Sequence, residues 1–217
     1  MSYTPQAAQE LVRVAPTTAN RVELASAQTN QGVMLFKRED YAASLAPLQQ
    51  AADAMQQIVA EAPSDAGHGQ LYAQILFWLA QPLEQLGRNQ EAADIYQRVV
   101  SQFRSLLARD PDNWSLKFEL ANKLQNLANL GFKLDASAGD FGNAAEEAVD
   151  LLRAAHAHDP SNARWRNILG AALRTRAQWW LKTGQPEALQ AVDQTLRFNL
   201  DALRAYPDLN GARLEAA

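Results

Sequence analysis

A chain of 217 residues with 47% hydrophobic and 20% charged side chains is apolar enough to fold and too apolar to remain disordered. Its net charge of −4 argues against a general nucleic-acid binder, since neutralising phosphates takes a basic surface. Without cysteine it has no disulfides and no thiolate metal sites, and no run reaches the ~18 consecutive apolar residues of a membrane span. Residues 1–16 carry no positive segment ahead of an apolar one, so no secretory signal is read and the expected location is cytoplasmic.

Residues 4–15 read as a short helix, with Thr4 as cap, Pro5 at the tolerated first position and Leu11, Val12 and Val14 on the apolar side. Its tail, Leu-Val-Arg-Val-Ala-Pro16, resembles Ile-Val-Ala-Glu-Ala-Pro63. It therefore reads as the end of a shortened helix, either an N-terminal cap or the edge of a longer array. A helix over 17–37 follows, capped by Thr17 or Thr18, with a turn at Glu39-Asp40. The next helix, about 41–61, carries the stripe Tyr41, Leu45, Leu48, Ala52, Met55 and Ile58, and Pro47 inside it predicts a bend.

Leu71, Ile75, Leu76, Leu79 and Leu83 predict a helix over about 67–86, interrupted at Pro82 and closed by Gly87. A helix over 89–109 comes next. Then Trp114, Leu120, Leu124, Leu127 and Leu130 predict a helix over 113–133, a longer loop over 134–140 and a helix over 141–158. The last pair covers about 162–183 and, after a turn at 183–186, runs on to Tyr206. No strand is needed anywhere.

A proline closes each pair: Pro16, Pro63, Pro111, Pro160 and Pro207, at intervals of 63 − 16 = 47, 111 − 63 = 48, 160 − 111 = 49 and 207 − 160 = 47. Such regularity marks a repeat protein. The expected units are 17–63, 64–111, 112–160 and 161–207, with a partial helix in 1–16 and another in 208–217. A helix pair with one apolar face cannot bury it alone, so neighbouring pairs must stack.

The turn and helix Leu86-Gly87-Arg88-Asn89-Gln90-Glu91-Ala92-Ala93-Asp94-Ile95-Tyr96 resembles the tetratricopeptide repeat (TPR) family. Asp40-Tyr41-Ala42-Ala43, Gly139-Asp140-Phe141-Gly142-Asn143-Ala144-Ala145, and the joints Asp110-Pro111-Asp112-Asn113 and Asp159-Pro160-Ser161-Asn162 match the same pattern. One departure is the period, about 48 residues against the family's 34; the extra 14 or so is close to four helical turns, two for each helix. The resemblance implies an all-α, right-handed α-solenoid of antiparallel helix–turn–helix repeats. It also implies a non-catalytic scaffold that binds a peptide or partner protein in a concave groove lined by each first helix. The long-helix variety also occurs as a sensor module of bacterial kinases, cyclases or caspase-like proteases, an alternative kept open here.

Alignment through the prolines and turns places Thr29, Phe77, Gln125 and Arg174 in one groove row and Asn30, Trp78, Asn126 and Thr175 in the next. Val33, Gln81, Asn129 and Gln178 lie three residues on, and Lys37, Gln85, Lys133 and Lys182 lie near the helix ends. From these rows the expected contact residues are Asn30, Phe77, Trp78, Gln81, Gln125, Asn126, Asn129, Lys133, Arg174, Gln178 and Lys182. Amides offer both donors and acceptors to an extended backbone, and Lys133, Arg174 and Lys182 favour an acidic segment or a free C-terminal carboxylate. Phe77 and Trp78 would be aromatic anchors. The plainer alternative is that these amides form solvated helix faces. The Lys–Asn pair of the chaperone-type clamp is replaced by Thr29 and Val33.

His156 and His158 are two apart and do not converge on a metal; a favourable charge near a helix C-terminus suits them better. Glu146, Glu147 and Asp150 read as a solvated face, and Trp114, Trp165 and Trp180 as packing residues. No metal cluster, cofactor loop or nucleophile–base pair is read, so no cofactor or catalysis is expected. Self-association through uncovered end faces is a further possibility for a solenoid.

Overall fold

The computed structural model describes residues 4–136 and 139–205. Among them are nine helices and no strand: α1 Pro5–Val14, α2 Thr18–Lys37, α3 Tyr41–Glu61, α4 Ala66–Gln85, α5 Asn89–Arg109, α6 Trp114–Lys133, α7 Gly139–His158, α8 Ala163–Lys182 and α9 Ala188–Ala205. The fold is thus all-α, and α2 to α8 form seven helices of 20 or 21 residues, long enough to accommodate the extended period. The Pro207 joint and the partial helix expected over 208–217 lie outside the described residues, as do residues 137 and 138 of the expected loop.

The repeat is written into the backbone at two places in each unit. Each first helix opens on a side-chain cap: Thr17 accepts from the Asn20 amide at 3.2 Å, Asp65 from His68 at 2.9 Å, Asn113 from Leu116 at 3.0 Å and Asn162 from Trp165 at 3.1 Å. Each of these bonds satisfies one of the amides a helix start leaves unpaired. The turn to each second helix passes through a left-handed residue: Glu39 (φ 63°), Gly87 (72°), Asp135 (48°) and Gly184 (68°). Both series step by 48, 48 and 49 residues (65 − 17, 113 − 65, 162 − 113; 87 − 39, 135 − 87, 184 − 135). Glycine adopts this conformation without a Cβ clash, whereas Glu39 and Asp135 adopt it at a cost.

Both α3 and α4 continue across their prolines, so Pro82 does not interrupt α4 as expected. Pro47 and Pro82 are buried, and helix packing outweighs the single lost hydrogen bond at each.

The chain divides into two compact units, Met1–Asp112 and Asn113–Ala217, at a repeat joint. In the first unit α1 packs on α2, and α2 to α5 pack each on the next. Leu48, Met55, Ile58, Ile75, Leu76 and Tyr96 are fully buried there. In the second unit α6 to α9 do the same, around Phe118, Leu120, Leu124, Leu152 and Trp179. Trp179 sits 4.4 Å from Phe132, ring to ring, and its Nε1 donates to the Ala128 carbonyl at 3.1 Å, locking α8 onto α6. A Cβ at Gly131 would lie 2.6 Å from Phe141 and 2.7 Å from Trp179, so glycine is what lets these rings reach the α6 backbone.

Candidate interaction surface

The first helices of the first unit, α2 and α4, carry four of the expected contact residues. Asn30 is exposed. Phe77 and Trp78 are half-buried and belong to a chain of aromatic contacts: Tyr41 to Phe36 at 5.4 Å, Phe36 to Trp78 at 6.1 Å, Trp78 to Phe77 at 6.1 Å and Phe77 to Tyr96 at 6.0 Å. The two rings therefore tie α2, α4 and α5 together while keeping one part in solvent. Gln81 is half-buried, and its amide donates to the Tyr96 hydroxyl, which in turn donates to Glu84 at 2.7 Å. Burial and the Glu84 carboxylate push the Tyr96 phenol above its ordinary value, so the hydroxyl stays a donor.

In the second unit, α6 and α8 carry the rest. Gln125 is buried at 8% exposure, and so is Thr175 at 4%. Asn126 is half-buried, while Asn129, Lys133, Arg174 and Gln178 are exposed. The Thr175 hydroxyl lies 2.9 Å from Asn129 Oδ1 and 3.1 Å from the Ala171 carbonyl, two acceptors for its one proton, and ties the Asn129 side chain to α8. Lys182 binds Asp135 at 2.8 Å and lies 5.4 Å from the Trp179 ring, so its charge is already engaged. That bond holds the Asp135 carboxyl below its ordinary value. The exposed or half-buried polar side chains of this face thus include Asn126, Asn129, Arg174 and Gln178 on α6 and α8.

Two further surfaces lie away from these faces. Between α3 and α5 of the first unit runs a cleft of about 540 Å³, lined by Ala42, Leu45, Ala46 and Ile95, by the polar Gln49, Arg88, Glu91 and Asp94, and by Leu79 and Leu83 of α4. On α9, Leu189, Val192, Leu196 and Leu200 form an exposed stripe, Leu189 at 77% and Leu196 at 57%. Their spacing of three and four residues shows the stripe as a second apolar face beside the buried Ala188, Ala191 and Thr195.

Some side chains take roles other than those expected. Glu146, expected on a solvated face, is partly exposed but also engaged: it accepts from Trp180 Nε1, and its other oxygen lies 3.9 Å from Arg176. Trp114 stacks on His158 at 4.3 Å and Trp165 on Phe118 at 6.0 Å, the packing role expected of both tryptophans. Arg176 was missed altogether, and no local sequence signal marks an arginine that is 5% exposed. Among the described residues no three His, Asp or Glu side chains converge on a metal position, and no helix is long and apolar enough to cross a membrane.

Antiparallel pairs of long helices, a capped start and a left-handed turn in each, stack on one another within each unit. The fold is a TPR-like helical repeat. No protein-family model and no curated protein matches the chain. Among solved structures it is similar to nearly identical TPR-like repeats from a kinesin light chain-type protein of Podosopora anserina, at 18% identity, over 92% of this chain and 87% of that one, with a TM-score of 0.49. It is also similar to BtubC (BKLC) from P. vanneervenii, at 14% identity, over 91% and 87% of the two chains, with a TM-score of 0.44. The designed helical repeat protein DHR64 covers 95% of the chain at 15% identity, with a TM-score of 0.41.

Proposed function

We propose that this TPR-like chain is a non-catalytic interaction scaffold that captures a peptide or protein segment on its first-helix faces. The second-unit patch prefers an acidic segment or a free C-terminal carboxylate. The observation that carries this reading is the set of polar side chains at the surface of α6 and α8: Asn126, Asn129, Arg174 and Gln178. The Thr175 hydroxyl holds the Asn129 side chain in place on that face. Charge-assisted hydrogen bonds from Lys and Arg to carboxylates are the stronger kind, which gives acidic peptides the advantage. On the first unit, the exposed parts of Phe77 and Trp78 offer an apolar anchor and Asn30 a polar contact.

The test is an array of acidic and basic peptides, each with a free or amidated C-terminus, probed with the intact chain. Replacing Asn126, Asn129 and Arg174 together by Ala is expected to lower acidic-peptide binding at least tenfold with helical circular dichroism unchanged. Equal binding by the triple variant would sink the assignment.

A second reading, association between copies, is favoured by the α9 stripe. Sedimentation across concentrations is expected to show a larger species that Leu196→Glu dissolves; a strict monomer excludes it.

A further inference from the structure

The second unit has a smaller cleft, about 180 Å³, where α7, α8 and α9 meet. It is lined by Arg153 of α7, Arg176 and Trp180 of α8, and Glu187, Gln190 and Gln194 at the start of α9. Arg176 is 5% exposed, and its guanidinium carbon lies 4.5 Å over the Trp180 ring. The nearest carboxylate oxygen, on Glu146, is 3.9 Å from NH1, beyond hydrogen-bond reach, and the other Glu146 oxygen is taken by Trp180 Nε1. Arg176 Nε is buried and has no hydrogen-bond acceptor. Folded proteins rarely leave a buried donor of this strength without one, and a guanidinium carries five donors in a fixed fork suited to oxyanions.

The repeat shows that the fold itself does not need a charge here. Arg176 and Trp180 stand 97 residues, two repeats, after Leu79 and Leu83 (176 − 79 = 97, 180 − 83 = 97), which floor the corresponding cleft of the first unit. Leucine fills the same place between second helices without disturbing the helices around it. Arginine at that position brings burial and the repulsion of Arg153 onto its own charge. Both weaken its hold on its proton, against the opposing pull of Glu146 and Asp150. An oxyanion between Arg153 and Arg176 relieves both costs.

We propose that this cleft is a binding site for one compact oxyanion, a carboxylate or phosphate group, held by the buried Arg176 guanidinium and by Arg153, with the Gln190 and Gln194 amides as neutral donors along the α9 wall. At roughly 30 Å³ for each water in the liquid, the cleft has room for about six waters, enough for a single such group. Glu187 at its edge and Asp150, three residues before Arg153, keep the local field from being strongly positive, so the site selects a small anion and excludes polyanions. Because Trp180 lies directly under the guanidinium, occupancy changes the environment of its indole.

The experiment titrates the intact chain with inorganic phosphate and, separately, with succinate, at an ionic strength held constant with sodium chloride, and follows tryptophan emission and the thermal midpoint. One or both anions are expected to give a saturable change, and which of them does so tells a phosphate-bearing from a carboxylate-bearing ligand. Arg153→Gln, an exposed position, relieves the repulsion on Arg176 and is expected to leave the unliganded midpoint the same or slightly higher and to weaken binding roughly tenfold. Arg176→Leu, which restores the side chain of the first unit, is expected to abolish binding, and Trp180→Phe to remove the emission change. If neither anion saturates, or if Arg153→Gln binds as the parent does, the proposal fails. Should Arg176→Leu not fold, Arg153→Gln decides the matter alone.

Discussion

In the first unit the floor of the cleft between second helices is Leu79 and Leu83; in the second unit the same register holds Arg176 and Trp180. The helices that carry them, α4 and α8, share a length of 20 residues, a side-chain cap and a left-handed turn, so the backbone repeat tolerates either chemistry. Burial rewards a leucine at such a place and penalises a cation unless its donors are satisfied. The first cleft is thus packed for stability, and the second gives up some stability to hold a charged group. A repeat protein can differentiate its units in this way because each helix pair is held mainly by its neighbours.

The largest expected effect comes from exchanging the two floors. Leu79→Arg buries a cation beside a cleft whose carboxylates are already engaged, Glu91 by Arg88 and Asp94 by Gln90, and is expected to cost about 3–5 kcal/mol in urea unfolding. Arg176→Leu removes a buried cation whose carboxylate neighbour, Glu146, stays partly exposed to water, and is expected to be neutral or stabilising. A loss as large as that of Leu79→Arg would mean that the two floors are not equivalent.

Tyr96→Phe tests the polar side of the first unit. Its buried hydroxyl links Gln81 to Glu84, and its removal is expected to cost about 1–2 kcal/mol. An unchanged denaturation midpoint would show that Gln81 is held by solvent instead and is open to a ligand.

Smaller effects separate the turns. Gly87→Ala is expected to lose about 1 kcal/mol, because its φ of 72° suits only glycine well, whereas Glu39→Gly at φ 63° is expected to be neutral or mildly stabilising. Equal losses in thermal melts would place the strain elsewhere.

The pH dependence gives the smallest and most distributed change. Hydrogen bonds from Arg21 to Glu61 in the first unit and from Lys182 to Asp135 in the second hold both carboxyls below their ordinary values. Their contributions are fully present above the unfolded values, near 4, and are lost as pH falls through the folded ones. In the second unit burial lowers Lys123, partly opposed by Glu119. The unfolded chain then binds more protons between the lowered value and the ordinary 10.5, so stability rises as pH climbs through that window. Urea midpoints from pH 3 to pH 10.5 are expected to show both slopes, with Glu61→Gln and Asp135→Asn flattening the acid one and Lys123→Met the alkaline one.

Much of the fold was legible along the chain, for local reasons. The Pro63, Pro111 and Pro160 joints, the cap Thr17 and the glycine at 87 act through their own backbone and nearest neighbours, so residue type and spacing determine them; the caps Asp65, Asn113 and Asn162 emerge with the structure, at the same spacing. The left-handed turns at Glu39 and Asp135 were not legible as such, because neither residue advertises that conformation; only their register with the glycines reveals them. On the candidate surface, the exposed Asn30, Arg174 and Gln178 follow from helical periodicity. The burial of Gln125, the engagement of Gln81 by Tyr96 and of Lys182 by Asp135, and the pairing of Glu146 with Trp180 do not.

By itself, then, the sequence determined that this protein is a stack of long helix pairs with a period of about 48 residues, because caps, prolines and hydrophobic spacing are local instructions. Which polar side chains are spent inside the fold and which remain for a partner was decided only by the tertiary structure. A hydrogen bond such as Thr175 to Asn129 joins residues 46 apart in sequence, and a buried arginine is found only where three helices meet. Those distances are set by packing, which the order of residues along one helix does not contain.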